Sequence, residues 1–81
     1  MDLSAIVPTK TVDARSMACP GPLLEAKKSI GLIKIGETIE VQSGDIGSRE
    51  DFPAWCNKVG HELLGFLEKD GYDSFYVVRK K

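Results

Sequence analysis

The first recognisable pattern along the chain is an apolar stripe at helical spacing. Its residues are separated by three, four and three positions: Leu23, Ala26, Ile30 and Ile33. Pro22 suits the first helical turn, because the N–H that proline lacks has no helical partner there. Gly31 weakens the last turn, and Gly36 marks the break. The pattern therefore predicts a first amphipathic helix between Pro22 and Gly36.

A second apolar stripe predicts a second amphipathic helix. Its residues follow at i, i+3, i+4 and i+7: Phe52, Trp55, Cys56 and Val59. Ser48 and Asp51 have the spacing of a capping box, and Gly60 is placed to end the helix. Because Pro53 lies early in this segment, either Asp51 is the true N-cap or the first turn is irregular.

Four other stretches read as β-strands. Thr11 and Val12 are β-branched and favour a short strand over residues 10–14, while residues 37–42 alternate apolar and polar positions. Residues 63–68 and 74–79 flank an Asp-Gly pair, which is typical of a β-hairpin. Residues 43–48, between the second predicted strand and the second predicted helix, read as a loop.

The order of these elements predicts an α+β domain, β-α-β-α-β-β. The simplest architecture is a mixed four-stranded sheet with both helices on one face. A chain of 81 residues is short enough for one domain, so residues 1–81 are predicted to form it. Residues 1–9 lack periodicity and are interpreted as a loose lead-in.

Composition and charge exclude several classes of protein. The net charge is -1, so no overall field attracts the chain to nucleic acid, and the basic residues 79–81 are interpreted as a solvated tail. No apolar run approaches the roughly 18 residues of a membrane span. The opening residues lack the features of a signal peptide, which predicts a cytoplasmic protein.

The two cysteines occupy different settings. In a reducing compartment, both are expected to be free thiols. Cys19 lies directly before Pro20, Gly21 and Pro22, at the predicted start of the first helix. The positive end of a helix favours the thiolate and lowers the pKa of the thiol, and Arg15 is placed to add positive charge. On residue type alone, a small apolar residue in a turn is the competing interpretation.

Cys56 and His61 are more simply explained by structure than by chemistry. Cys56 shares the apolar stripe of the second helix, so burial is the favoured interpretation, although a redox partnership with Cys19 stays open. His61 is conceivable as a catalytic partner of Cys19, but a polar residue capping the second helix is favoured. These three residues lack the close spacing of a zinc site, and we expect neither a metal nor a cofactor.

The sequence from Val12 to the C-terminus resembles the TusA family of sulfur carriers, also called SirA-like. The resemblance rests on a Cys-Pro-x-Pro motif after the first strand: Cys19, Pro20, Gly21 and Pro22. Asp13, the pair Gly36-Glu37 and the pair Gly60-His61 also fit in the right order. The family often has Gly at the position of Ser16, and Asp-Asp-Pro at residues 44–46, where this chain departs from the pattern.

The resemblance implies a fold and a function. The family fold is a two-layer α/β sandwich, which agrees with the elements predicted above. The resemblance implies that Cys19 accepts sulfane sulfur as a persulfide or thiosulfonate. The binding residues around it are expected to be Arg15, Pro20, Gly21 and Pro22. The protein would act as a sulfur carrier or sulfurtransferase with no other catalytic machinery of its own. Two alternatives are a thiol redox protein that uses Cys19 and Cys56, and a protein-binding module in which Cys19 is inert.

The resemblance also implies the partners. A sulfur donor protein, either a cysteine desulfurase or a rhodanese-like protein, would load the thiol, and an acceptor protein would unload it. Known family relays serve tRNA thiolation or sulfur oxidation, and others are thought to act in molybdenum-cofactor supply or selenium metabolism. Neither nucleic acid nor a membrane is expected as a direct partner. The size allows a monomer or a weak dimer.

Overall fold

A computed structural model describes residues 3–18 and 21–81 of the chain. A short 3-10 helix at Leu3–Ala5 is followed by these elements: β1 (Lys10–Ala14), α1 (Gly21–Ile30), β2 (Thr38–Ser43), α2 (Ser48–Val59), β3 (Glu62–Lys69) and β4 (Tyr72–Val78). The predicted α+β class and element order are confirmed. The two-residue turn between β3 and β4 confirms the hairpin, and its Gly71 has a φ of 83°.

The strands form one mixed sheet in the order β1-β2-β4-β3. β1 and β2 are parallel, whereas β4 runs antiparallel to both β2 and β3. Because α1 and α2 each follow one of the two parallel strands, both helices begin where β1 and β2 end. We call this the carboxyl end of the sheet, and the opposite end the amino end. The turn between β3 and β4 also lies at the carboxyl end.

The core lies between the helices and one face of the sheet. Its buried members come from every main element except β3: Val12, Ala26, Ile30, Ile33, Ile39, Val41, Phe52, Trp55, Cys56, Phe75 and Val77. Phe52 of α2 stacks on Phe75 of β4 with ring centroids 4.5 Å apart, and Trp55 meets Phe52 edge-on. Both predicted helical stripes therefore face the sheet, as the periodicity indicated, with two exceptions at their ends.

The exceptions are the last predicted residue of each stripe. α1 ends at Ile30, one residue before Gly31, so Ile33 lies in the loop and not on the helix, although it is buried. Glycine disfavours helix because its backbone loses more entropy on ordering. In the last turn of α2, Val59 is 37% exposed, since the helix ends directly after it at Gly60, whose φ is 87°.

The predicted capping box at the start of α2 is wrong. Gly47 is the N-cap, and it makes no side-chain cap bond. The Asp51 N–H donates to the Gly47 carbonyl (3.1 Å), so Asp51 lies inside the helix and is not its cap. The Ser48 hydroxyl instead forms a buried hydrogen bond with Ser43 (Oγ–Oγ, 2.8 Å). Pro53 lies within the helix.

The chain ends are held against the sheet. The Thr9 N–H donates to the Thr38 carbonyl (2.8 Å), and the side chain of Leu3 lies against Gly65 of β3. Arg79 exchanges backbone hydrogen bonds with residues 36–37, and its guanidinium donates to the Ile33 carbonyl. The interpretation of residues 79–81 as a solvated tail is therefore wrong for Arg79. Its backbone N–H and its guanidinium both donate to carbonyls of the segment between α1 and β2.

Candidate functional site

The residues that flank Cys19 in the chain lie at the carboxyl end of the sheet. The loop from β1 to α1 brings residues 15–18 to this end, and α1 begins there at Gly21. Cys19 and Pro20 lie outside the described residues, so their predicted roles stay predictions. The site is therefore built from their described neighbours.

Arg15 is held by an acidic and an aromatic residue. Its guanidinium makes two hydrogen bonds to the Asp13 carboxylate, Nε–Oδ1 at 2.9 Å and a second to Oδ2 at 3.0 Å. The guanidinium carbon also lies 5.2 Å from the centre of the Tyr72 ring. The hydrogen bonds from Arg15 lower the pKa of Asp13 and raise the pKa of Arg15. The positive charge predicted for Arg15 is thus paired with the Asp13 carboxylate, and these contacts hold the guanidinium in place.

Gly21 packs tightly against the preceding loop. Its N–H donates to the Ala18 carbonyl (2.7 Å), and a Cβ at this position would lie 2.8 Å from the Cβ of Met17. A side chain at position 21 would therefore displace Met17. Pro22, which we predicted at the first helical position, is the second residue of α1 and is fully buried.

The loop between β2 and α2 is packed against the loop that precedes Cys19. A Cβ on Gly44 would lie only 2.6 Å from the Arg15 carbonyl oxygen. The Asp45 N–H donates to Ser43 Oγ (3.1 Å), and Asp45 Oδ1 accepts the Gly47 N–H (3.0 Å). These bonds fix the loop that contacts Arg15, four residues before Cys19 in the chain. The hydrogen bonds by which Ser43 holds this loop were not predicted from the sequence, where the only indication was a serine at each end of the loop.

Replacing Gly44 with Ala is expected to push the two loops apart. The new Cβ would meet backbone, which cannot rotate away, so we expect a loss of about 1–3 kcal/mol in the free energy of unfolding. Urea unfolding measures the loss. The matched control is Gly31→Ala, where the nearest atom lies at an ordinary 3.6 Å. Equal stability of the two variants would contradict the close contact at Gly44.

The two loops enclose an open depression of about 500 Å³. It is lined by Arg15, Ser16, Met17, Ala18, Gly44 and Asp45. Met17 is 38% exposed, and Ile46 in the neighbouring loop is 72% exposed. The lining of the depression includes Ala18, the residue that directly precedes Cys19 in the chain. Ser16, Gly44 and Asp45, which lie at the two places where the chain departs from the family pattern, are part of this lining.

A second depression, of about 200 Å³, shares Gly44 with the first and contains an ion-pair network. Arg49 of α2 donates to both carboxylate oxygens of Asp73 (2.8 and 3.1 Å) and contacts Glu68 (3.4 Å). Its guanidinium carbon also lies 4.9 Å from the centre of the Phe66 ring. The hydrogen bonds that Arg49 donates to Asp73 raise the pKa of Arg49. This network ties α2 to the hairpin, and sequence analysis missed it because its members are far apart in the chain.

Cys56 lies in the core, which agrees with the favoured interpretation. Its residue is 3% exposed, and burial raises the pKa of its thiol to about 11. At neutral pH the thiol is therefore protonated, which makes it a poor nucleophile.

The shifted pKa of Cys56 predicts a pH dependence of stability. A raised pKa in the folded state favours the protonated thiol, so its stabilisation is present below the pKa of the unfolded chain and is lost as pH rises toward about 11. We expect the free energy of unfolding to fall more steeply above about pH 9 in the wild type than in Cys56→Ala. Urea unfolding across this range measures both slopes. Parallel slopes would contradict the raised pKa.

His61 lies at the amino end of the sheet, just after α2. Its Nδ1 accepts the backbone N–H of Lys80 (3.1 Å), so the ring is a satisfied polar group. It does not cap α2, because the Gly60 N–H makes that bond to the Cys56 carbonyl. Burial, with the charges of Arg79 and Lys81, lowers the pKa of His61. The start of α1 is at the other end of the sheet, so the structure offers no support for a catalytic Cys–His pair.

Among residues 3–18 and 21–81, no three His, Cys, Asp or Glu side chains lie close enough together to hold a metal ion. No helix there has the length and apolar character needed to cross a membrane.

Comparisons with known proteins identify the family. The protein-family model described as sulfurtransferase TusA matches residues 10–80. A "Putative sulfur carrier protein" of Archaeoglobus fulgidus is 41% identical over 70 residues, which cover 86% of this chain and 96% of the relative. A protein of Neisseria meningitidis with the same description is 36% identical over 72 residues, covering 89% and 97%.

The fold has a solved counterpart. The crystal structure of a SirA-like protein from Desulfitobacterium hafniense matches with a TM-score of 0.77 and 27% sequence identity, covering 89% of this chain and 99% of that one. The resemblance found in the sequence is therefore confirmed over nearly the whole length. The chain belongs to the sulfurtransferase TusA family.

Proposed function

We propose that this protein is a sulfur carrier that accepts sulfane sulfur on Cys19 as a persulfide and passes it to an acceptor protein. The observation that carries the proposal is the start of α1 at Gly21, two residues after Cys19. In the chain, Cys19 thus stands just before a helix N-terminus, where the helix dipole favours a thiolate. Relatives of nearly the same length are described as sulfur carriers, which supports the same assignment.

The chemistry needs only a thiolate and a donor. The Cys19 thiolate attacks the outer sulfur of a persulfide on the donor protein. The new S–S bond forms as the donor's S–S bond breaks, and the donor leaves as a thiolate. An acceptor thiolate then attacks the outer sulfur on Cys19 in the same way, and the Cys19 thiolate is restored. One sulfur atom moves in each step, and no external oxidant or reductant is consumed.

The described surroundings suit a carrier better than an enzyme with its own acid–base chemistry. The only histidine of the chain is at the opposite end of the sheet. Arg15 and Arg49 are engaged by carboxylates. Cys56 is buried and protonated at neutral pH, which disfavours the alternative of a thiol redox pair. A thiol that is already ionised needs no general base.

The relay belongs either to tRNA thiolation or to sulfur oxidation. In the first case a cysteine desulfurase is the donor, and the cargo is a persulfide. In the second, a rhodanese-like protein or thiosulfate supplies the outer sulfur of a persulfide, and sulfite leaves when thiosulfate is the source. A thiosulfonate is the other form that the cargo can take, and it forms when the thiolate attacks a polythionate such as tetrathionate and thiosulfate leaves. The action would take place in the cytoplasm.

Intact-mass spectrometry tests this proposal. The reduced protein is incubated with a cysteine desulfurase and L-cysteine, and the control reaction omits L-cysteine. We expect a gain of one sulfur, about 32 Da, that dithiothreitol reverses. A thiosulfonate would be recognised by its larger mass after incubation with tetrathionate, which transfers a thiosulfonate group to the Cys19 thiolate as thiosulfate leaves. No added sulfur with a cysteine desulfurase, a rhodanese or thiosulfate would contradict the proposal.

A further inference from the structure

The charges of the chain are segregated between the two ends of the sheet, although they nearly cancel overall. The last turn of α1 carries Lys27 and Lys28, and that of α2 carries Lys58. The basic residues 79–81 follow β4 and lie at the same amino end, as does Lys34 in the loop before β2. The amino end is therefore basic.

The carboxyl end has the opposite character. Its carboxylates come from β1, the loop after β2, the first turn of α2 and the β3–β4 hairpin: Asp13, Asp45, Glu50, Asp51, Glu68, Asp70 and Asp73. Its cations are Arg15, Arg49 and Lys69. Arg15 already pairs with Asp13, and Arg49 with Asp73, so carboxylates outnumber cations there even beyond these pairs.

An apolar centre lies within this acidic end. Met17 and Ile46 border the two depressions that share Gly44, and both side chains are exposed. Ile46 stands in a loop held by the bonds from Ser43 and Asp45, so it is presented on a fixed backbone. Exposed apolar side chains within a polar rim are typical of protein interaction surfaces.

We propose that the carboxyl end is a docking surface for a protein whose own sulfur-bearing cysteine is surrounded by lysine and arginine. The surface consists of Met17 and Ile46 at its centre, with a rim that includes Glu50, Glu68 and Asp70. This inference rests on the proposed function and names the class of partner. Charge complementarity selects the occupant, because opposite potentials speed encounter and suppress wrong partners. An anionic membrane or a nucleic acid would be repelled from this end.

The test uses two synthetic peptides that differ only in charge. Each contains one cysteine persulfide, flanked in one peptide by lysines and in the other by glutamates. Transfer of the outer sulfur to Cys19 is followed by intact mass at about 20 mM and about 500 mM sodium chloride. We expect the lysine peptide to load Cys19 about tenfold faster at low salt, and the difference to vanish at high salt.

Charge variants locate the effect on the surface. Glu50→Gln/Asp70→Asn removes two exposed carboxylates from the rim and keeps an Asx-Gly turn in the hairpin. We expect it to reduce the preference for the lysine peptide about two- to threefold. The matched control, Glu37→Gln/Glu62→Gln, changes the net charge equally but lies at the amino end, where β2 and β3 begin, and is expected to keep the preference.

The outcomes separate this inference from the proposed function. Equal loading by both peptides, or faster loading by the glutamate peptide, would overturn the docking surface and leave the carrier function standing. If neither peptide loaded Cys19, the carrier function would be contradicted. In that case, binding of the same peptides with serine in place of cysteine decides the inference. Amide shifts at the carboxyl end with the lysine peptide alone would support it, and their absence would overturn it.

Discussion

Cys19→Ala is expected to abolish sulfur loading completely while leaving the fold intact. The proposed reaction has one nucleophile, and no other described thiol can replace it, because Cys56 is buried with a pKa of about 11. The variant is incubated with a cysteine desulfurase and L-cysteine, and the added mass is measured against the wild type. Circular dichroism and urea unfolding check the fold.

The matched control is Cys56→Ala, which removes the other thiol. It is expected to load one sulfur as the wild type does, with a modest loss of stability from the small cavity that it leaves in the core. Loading that survives in Cys19→Ala and disappears in Cys56→Ala would show that Cys56 carries the sulfur, which would contradict the proposal. Loss of loading in both variants would favour a redox pair.

Phe75→Ala is expected to produce the largest loss of stability among single substitutions in the core. The ring is fully buried in β4, the central strand that pairs with both β2 and β3, and it stacks on Phe52. Truncating a buried Phe to Ala lowers the free energy of unfolding by about 3–5 kcal/mol, and that free energy is only about 5–15 kcal/mol for an ordinary domain. Urea unfolding should therefore show a chain that is partly unfolded or close to it.

The control for this prediction is Phe66→Ala on the neighbouring strand. Its ring centroid lies 5.2 Å from that of Phe75, but the residue is 36% exposed at the sheet edge. We expect a loss of less than about 2 kcal/mol, from the aromatic contact and the interaction with Arg49. Similar losses in both variants would mean that burial in this small core matters less than the structure indicates.

The periodicity of the sequence was sufficient to predict the architecture. Ile39 and Val41 alternate with polar residues and are both fully buried, and the Asp-Gly pair at residues 70–71 forms the hairpin turn. These elements were predictable because the apolar residues of each one must face a single core. The ends were less predictable. Nothing in the local pattern distinguished Gly47 from Ser48 as the N-cap of α2.

The surroundings of the site were only partly predictable. Arg15 was identified from its distance along the chain to Cys19, but its two bonds to Asp13 depend on the backbone conformation after β1. The contact of Gly44 with the Arg15 carbonyl joins two loops that are distant in sequence. The same holds for Arg49 and Asp73. The Gly44 contact depends on the parallel pairing of β1 with β2, and the Arg49 contact on the antiparallel pairing of β2 with β4. No local spacing in the sequence specifies either pairing.

Cyanolysis of the loaded protein is the decisive test of whether Cys19 holds a sulfur atom that can be transferred onward. Cyanide attacks the outer sulfur of a persulfide, which yields thiocyanate and returns the Cys19 thiolate. The loaded protein is freed of donor and treated with cyanide, and thiocyanate is quantified. We predict one thiocyanate per chain for the wild type and Cys56→Ala, and none for Cys19→Ala. Thiocyanate from Cys19→Ala, or none from the loaded wild type, would contradict the claim.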